Sequence, residues 1–175
     1  DLSHTGHRAT MEAMDLSDAP VAFSHSNAKS LYDHPRNLAD DQIRRCVERD
    51  GVIGLNGHPA FIKAGTAAPT LDDYLAHVDT MVNKAGIDHV GIGMDFSHPP
   101  GQQMPPARYE QLMTEGVFTP ETLPPPPWRY PIGDARRIVD LTEALAQRGW
   151  RQTDLRKLLG ENFLRLFHAV WKPED

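Results

Sequence analysis

Apolar residues recur from Leu71 to Ala85 at positions 71, 74, 75, 78, 81, 82 and 85. That spacing lays them along one stripe of a 3.6-residue helix, with Thr70 placed to cap its start and Gly86 to close it. Residues 7–17, "HRATMEAMDLS", read as a shorter helix, and Ala19-Pro20 punctuates after it. "VAFSH" then reads as a buried strand, apolar and bounded by proline. Asp40 or Asp41 begins the helix "DDQIRRCVERD", which Gly51 ends, and "VIGLNG" (52–57) is the next buried strand. "HVGIGMDF" (89–96) is a third, loosened by two glycines. Residues 97–132 are proline-rich, include "LPPPPW" and exceed a simple connector. They predict either a functional loop or lid, or an insertion that only covers the sheet edge. After Gly133-Asp134 comes the helix "ARRIVDLTEALAQRG". Thr153 is placed to cap a last helical stretch, "DLRKLLGENFLRLFHAVW", broken near Gly160.

Strands and helices alternate, and the strands are nearly continuous apolar runs. This predicts an α/β fold with parallel strands covered by helices. Three strands are visible, and "DLSH" at Asp1–His4 looks like the end of a fourth whose start is missing. Four strands with helices make half of a (β/α)₈ TIM-like barrel, with an open doubly wound sheet as the rival. The expectation is one partial-barrel domain over residues 1–175 carrying the 97–132 insertion. Asp1 is not an initiator methionine, which adds the expectation of a processed or partial chain, or one of two subunits. Each visible strand ends in polar residues: Ser24-His25, Asn56-Gly57-His58 and Asp95. Both architectures put strand C-termini at the functional end.

Composition narrows the classes. The 175 residues are 39% hydrophobic with a formal charge of −6, enough for one real core and without the footprint of a nucleic-acid binder. A single cysteine, Cys46, excludes an internal disulfide framework and suits a reducing compartment such as the cytoplasm. No apolar run approaches the roughly 20 residues of a membrane span.

Of nine histidines, His34, His77, His89 and His168 read as packed or solvated. His4 and His25 differ, because each follows an apolar run and ends a strand. Two neutral imidazoles on neighbouring strand ends can converge on one metal ion, with Ser3 and Ser24 orienting them. Spacing alone favours satisfied structural histidines, since an isolated "SH" is common. Asp95 suits metal ligation, a substrate amine, proton transfer or a loop anchor. Arg36 suits a bidentate carboxylate clamp or an ordinary surface role.

The run from "DLSHTGHRATMEAMDLSDAPVAFSHSNAKSLYDHPRNLADDQIRRCVERDGVIGLN" closely resembles the membrane dipeptidase (renal dipeptidase) family of zinc peptidases. "HVGIGMDF" looks like that family's strand before its substrate loop, and "LLGENFLRLF" is similar to its terminal helix. The resemblance implies a (β/α)₈ barrel with two zinc ions per complete active site. By matching position, His4 and His25 would ligate the second zinc. Arg36 would receive the dipeptide carboxylate. Asp95 would be catalytic, lying near the substrate amine as a proton donor. Asn56, at a polar strand-end position, joins Arg36 and Asp95 as substrate-binding. The family's other metal ligands have no counterpart here, so the chain resembles the C-terminal half of such an enzyme. Phe61 stands near a position where some members carry a substrate-binding tyrosine, and Ser97 replaces the aspartate of animal members. The implied function is a zinc-dependent dipeptidase hydrolysing short peptides through a metal-activated water, this chain supplying part of the site. Alternatives are a metal-dependent amidohydrolase of another small substrate and a non-catalytic half-barrel binding subunit. The expected partners are a small peptide substrate, the N-terminal half of the same protein or a partner chain, and further copies in a homo-oligomer, with no nucleic acid.

Overall fold

The computed structural model describes residues 1–171 except 66, 97–101, 117, 121, 122, 124 and 128. Ser97 and parts of "LPPPPW" therefore lie outside the described residues. Three short strands, β1 (Ala22–Phe23), β2 (Val52–Asn56) and β3 (Val90–Gly93), pair in parallel in the order β1-β2-β3. Ala22 is opposite Val52, and the β2–β3 register runs from Ile53↔Val90 to Asn56↔Gly93. Every residue of β2 is buried, as expected of a strand covered on both faces. The sheet has three strands; the segment before His4 adds one hydrogen bond, Leu2 N–H to Ala22 O at 2.8 Å.

Helices α1 (His7–Leu16), α2 (Asp40–Glu48) and α3 (Leu71–Ala85) connect or flank the strands. At the start of α3, Thr70 Oγ1 accepts from Asp73 N–H and Asp73 Oδ2 accepts from Thr70 N–H, a reciprocal capping box. In α2, Asp40 and Asp41 occupy the first turn, where carboxylates oppose the helix dipole favourably, and Gln42 Oε1 accepts from Ala39 N–H. Buried Ile43 and Cys46 of α2 join Leu75, Val78 and Met81 of α3 and Phe23, Ile53 and Leu55 of the sheet in one contiguous core. Each large aliphatic or aromatic side chain there contributes about 1.5–3 kcal/mol of burial.

The described part of the insertion holds secondary structure. It contains α4 (Pro106–Thr114), and Leu123, Met104, Tyr109, Met113 and Phe118 pack with Ala60 and Phe61 as a satellite apolar cluster. Beyond it come α5 (Ile138–Gln147), α6 (Gln152–Arg156), a wide turn at Lys157–Glu161 and α7 (Asn162–Val170). Helix α6 begins at Gln152, so Thr153 lies inside it and does not cap it. The break expected near Gly160 is present, with non-helical dihedrals at that residue. Asn162 Nδ2 donates to Ile87 O and Val90 O, both at 2.7 Å, and so ties α7 to the start of β3. No described helix is long and apolar enough to cross a membrane.

Candidate functional site

The site is built where the three strands end. The ladder of β1 stops at Phe23 because the chain turns across the sheet. A Cβ on Gly54 or Gly93 would lie 2.2 or 2.0 Å from Ser24 O, so only glycine admits this approach. The crossing places His25 above the sheet. His25 Nδ1 lies 2.7 Å from Ser24 Oγ, which in turn donates to Asp1 Oδ2 at 2.6 Å. A hydroxyl has one proton, and here it goes to the carboxylate. His25 therefore carries its proton on Nδ1, and Nε2 keeps its lone pair. Asp1 Oδ1 also accepts from Ser3 N–H and Ser24 N–H, while Ser3 Oγ accepts from His25 N–H.

The Nε2 atoms of His25 and His4 stand 2.8 Å apart, with ring centroids at 4.9 Å. His4 reaches this position with φ +65°, a left-handed conformation uncommon outside glycine. Burial is the main cause holding both imidazoles below their ordinary pKa. The Arg36 charge lowers both further, His25 lowers His4, and Asp95 opposes the shift in each. Both rings are thus held neutral, and with the lone pair on His25 Nε2 the 2.8 Å contact is a hydrogen bond donated by His4 Nε2–H, whose proton would move to Nδ1 for His4 to ligate through Nε2. Two imidazole nitrogens on a tetrahedral zinc lie about 3.4 Å apart, so a small opening of the pair accommodates the ion. The chemistry of the donors and the fixed tautomer of His25 fit zinc. Among the described residues, no group of three or more His, Cys, Asp or Glu side chains forms a metal set.

Asp95 follows β3 with φ +55°. Its backbone carbonyl accepts from Tyr130 Oη at 2.7 Å. Asn56, the last residue of β2, is 1% exposed. Its Nδ2 donates to His25 O at 3.4 Å and, over a long 3.5 Å, to Asp95 Oδ2, and its Oδ1 accepts from His58 N–H at 2.6 Å. Arg36 lines the same cavity as His4. Its backbone N–H donates to His34 Nδ1 at 3.1 Å, and its guanidinium carbon stands 5.4 Å from the centre of the Phe61 ring. Burial lowers the Arg36 pKa, and Asp95 opposes that shift. Nε and Nη2 of Arg36 are buried without a partner.

A cavity of about 610 Å³ opens on this face, and His4, Ser26, Lys29, Arg36, Asn37 and Phe118 help to line it. His4 and His25 are thus in contact, and Arg36 and Asp95 are within electrostatic range of both. The cavity wall includes His4 and Arg36 but not His25, Asp95 or Asn56. The sequence reading did not single out Asp1, Ser26, Asn37, Phe118 or Tyr130. A hydroxyl and an amide beside His25 in "SHSN", and the "RN" pair, are the local signals for Ser26 and Asn37. The others are apparent only once the fold joins distant segments. Of the histidines set aside, His34 and His77 are packed, and His77 Nε2 donates to Ile62 O at 2.8 Å.

The family model for membrane dipeptidases (Peptidase family M19) matches residues 1–116. The chain belongs to the membrane dipeptidase family. It is 38% identical over its whole length to an uncharacterised dipeptidase of Schizosaccharomyces pombe, covering 36% of that protein. It is 28% identical over 97% of its length to the dipeptidase tcpJ of Claviceps purpurea, covering 34% of that protein. Among solved structures, a metallo peptidase from Rhodobacter sphaeroides, liganded with a phosphinate mimic of the dipeptide L-Ala-D-Ala, superposes with a TM-score of 0.73. That likeness has 29% identity and covers 98% of this chain and 42% of the other. An amidohydrolase from Pseudomonas aeruginosa superposes with a TM-score of 0.83 at 30% identity, covering 97% of this chain and 51% of the other. The chain spans only about a third to a half of the length of these relatives.

Proposed function

We propose that this chain is the C-terminal half of a (β/α)₈ barrel and supplies part of the active site of a zinc-dependent dipeptidase. The observation that carries the reading is the pair of Nε2 atoms at 2.8 Å, one with its tautomer set by Ser24 and Asp1. His4 and His25 would hold one ion of a two-zinc site, and two imidazoles are half of a tetrahedral set. The remaining ligands come from the N-terminal half of the same protein or from a partner chain, and assembly as a homo-oligomer belongs to the same proposal. A metal held there would supply Lewis-acid polarisation of the scissile carbonyl and an activated water. Arg36 takes the free carboxylate of the substrate with Nε and Nη2, a fork that matches a planar anion. Asp95 engages the amine end and moves a proton to the leaving nitrogen, and Asn56 acts on the substrate through Asp95, whose carboxylate it steadies. Recognition of charge at both ends restricts the substrate to very short peptides.

The test is Arg36→Lys in the full-length protein, assayed with a dipeptide and its C-terminal amide. The dipeptide should lose about 1.5–3 kcal/mol of kcat/KM, mostly through KM, while the amide, poor from the start, is nearly indifferent. Equal losses on both substrates would show that Arg36 supports the loop without reading the carboxylate. A metal-dependent amidohydrolase of another small substrate is the second reading, favoured by the likeness to the Pseudomonas amidohydrolase. It predicts that the same assay finds turnover on small amides lacking a free carboxylate.

A further inference from the structure

Buried polar atoms without a hydrogen-bond partner are few in folded chains, since each has given up water for nothing. Six such side-chain atoms occur among the described residues. Four of them, Ser26 Oγ, Arg36 Nε and Nη2, and Asn37 Oδ1, belong to three residues that line the cavity at His4. The other two, on Arg49 and His77, belong to residues outside its lining. Unmet hydrogen-bonding capacity is therefore concentrated at one place.

The three side chains are held from behind. Ser26 is 1% exposed, and its backbone N–H donates to Gly54 O at 2.7 Å, which anchors the segment after β1 to β2. Asn37 Nδ2 donates to Tyr32 O at 2.9 Å and Phe61 O at 3.0 Å. Turning that amide over would set its oxygen against two carbonyls, so Oδ1 is fixed as an acceptor. Three lining residues thus carry, without partners, two guanidinium donors, one hydroxyl and one acceptor-only oxygen. A carboxylate has about four lone-pair sites, and the Arg36 fork occupies two of them. The carbon beside the carboxylate of a peptide's last residue also carries an amide N–H, the donor that suits Asn37 Oδ1.

Resting on the dipeptidase reading above, we propose that Ser26 is a further substrate-binding residue, its hydroxyl donating to the same carboxylate that Arg36 receives. Lys29 lines the cavity too, but it is already paired with Asp33 at 2.9 Å; among the lining residues, Ser26 carries a hydroxyl that is buried without a partner. An unpartnered hydroxyl contributes nothing to the empty protein, so deleting it should not loosen the fold. Deletion should show only when the anion arrives.

The test compares N-acetylglycine with N-acetylglycinamide, which lacks the carboxylate, as ligands of the full-length protein in wild type, Ser26→Ala and Arg36→Lys, by NMR titration and thermal melting. Ser26→Ala should weaken N-acetylglycine about tenfold, the size of one charge-assisted hydrogen bond. It should leave N-acetylglycinamide unaffected and leave the Tm of the ligand-free protein unchanged or higher. If Arg36→Lys weakens N-acetylglycine and Ser26→Ala does not, the assignment of Ser26 fails while the dipeptidase reading stands. If neither substitution matters, the carboxylate reading fails and takes this one with it. A lower Tm with equal losses for both ligands would make Ser26 structural and overturn the proposal.

Discussion

Replacing Ser24 with alanine isolates the link between the tautomer of His25 and its capacity to bind metal. The hydroxyl accepts from His25 Nδ1 at 2.7 Å and donates to Asp1 at 2.6 Å. Without it, the Nδ1 proton has no fixed partner, and nothing favours the tautomer that leaves Nε2 free to ligate. Loss of such an outer partner typically costs 10–100-fold in metal affinity. The structure places this case at the lower end. Asp1 is also held by the backbone N–H groups of Ser3 and Ser24, at 3.0 and 3.1 Å, so its carboxylate stays in place after the substitution. A water can then bridge the imidazole to the carboxylate and recover part of the interaction. The expected loss is about tenfold in zinc affinity, or about 1.4 kcal/mol. Competition with a chromogenic chelator, run on the full-length protein, measures it. Ser24→Thr, which keeps the hydroxyl, should restore most of the affinity. A zinc affinity of Ser24→Ala within twofold of wild type would refute the orienting role. So would an equal loss in Ser24→Thr, since that would point to packing in place of hydrogen bonding.

Two further predictions concern the fold. Cys46 is fully buried, and burial pushes its thiol up to about 12, so it should resist alkylation by iodoacetamide at neutral pH and react only once the protein is denatured. His77 is buried with its Nε2–H on Ile62 O, and burial, opposed by that bond and by Asp73, holds its pKa below 6.5. The unfolded chain therefore binds the proton more readily. The contribution of neutral His77 is fully present above about pH 6.5 and declines as pH falls through and below that value toward the folded pKa, with a slope of at most about 1.4 kcal/mol per pH unit. Urea midpoints measured between pH 7.5 and pH 5 should fall less steeply in His77→Phe than in wild type, and parallel curves would contradict this.

Local patterns were legible where a segment's own residues decide its conformation. Helix α3 followed from its stripe and from the hydroxyl of Thr70, whose capping box involves only neighbours in sequence. Helix α4 was hidden by the surrounding prolines, although Pro106 at its first position is itself a start signal. The strand "VAFSH" was read as five residues and makes a ladder of two. The reason is tertiary: Ser24 leaves the sheet to pass over Gly54 and Gly93, and no pattern within five residues records that crossing. The same limit applies to the site. The residue types of His4, His25, Arg36 and Asp95 announce chemistry. Asp1 acquires its role only because folding brings it against Ser24, 23 positions away. His77 lies between the apolar stripe and the polar face of α3, and only the segment at Ile62 decides that it is buried.

Asn56 shows why the site residues move as a unit. It ends β2 and pairs in register with Gly93 of β3, two residues before Asp95. Its backbone N–H donates to Asn27 Oδ1 at 3.1 Å, and its carbonyl accepts from Asn27 Nδ2 at 2.9 Å, which fixes the segment leaving His25. Its side chain then spans the two neighbouring strand ends, reaching His25 O on one side and Asp95 Oδ2 on the other. At 1% exposure, water cannot take over these bonds, so breaking one leaves a buried group unpaired. The separation between the imidazole pair and the Asp95 carboxylate is therefore set by the parallel register of β2 on β3, carried through one amide. Positions that look independent along the chain share a single ruler, and a shift of that register by one residue would carry Asp95 away from Asn56 and His25.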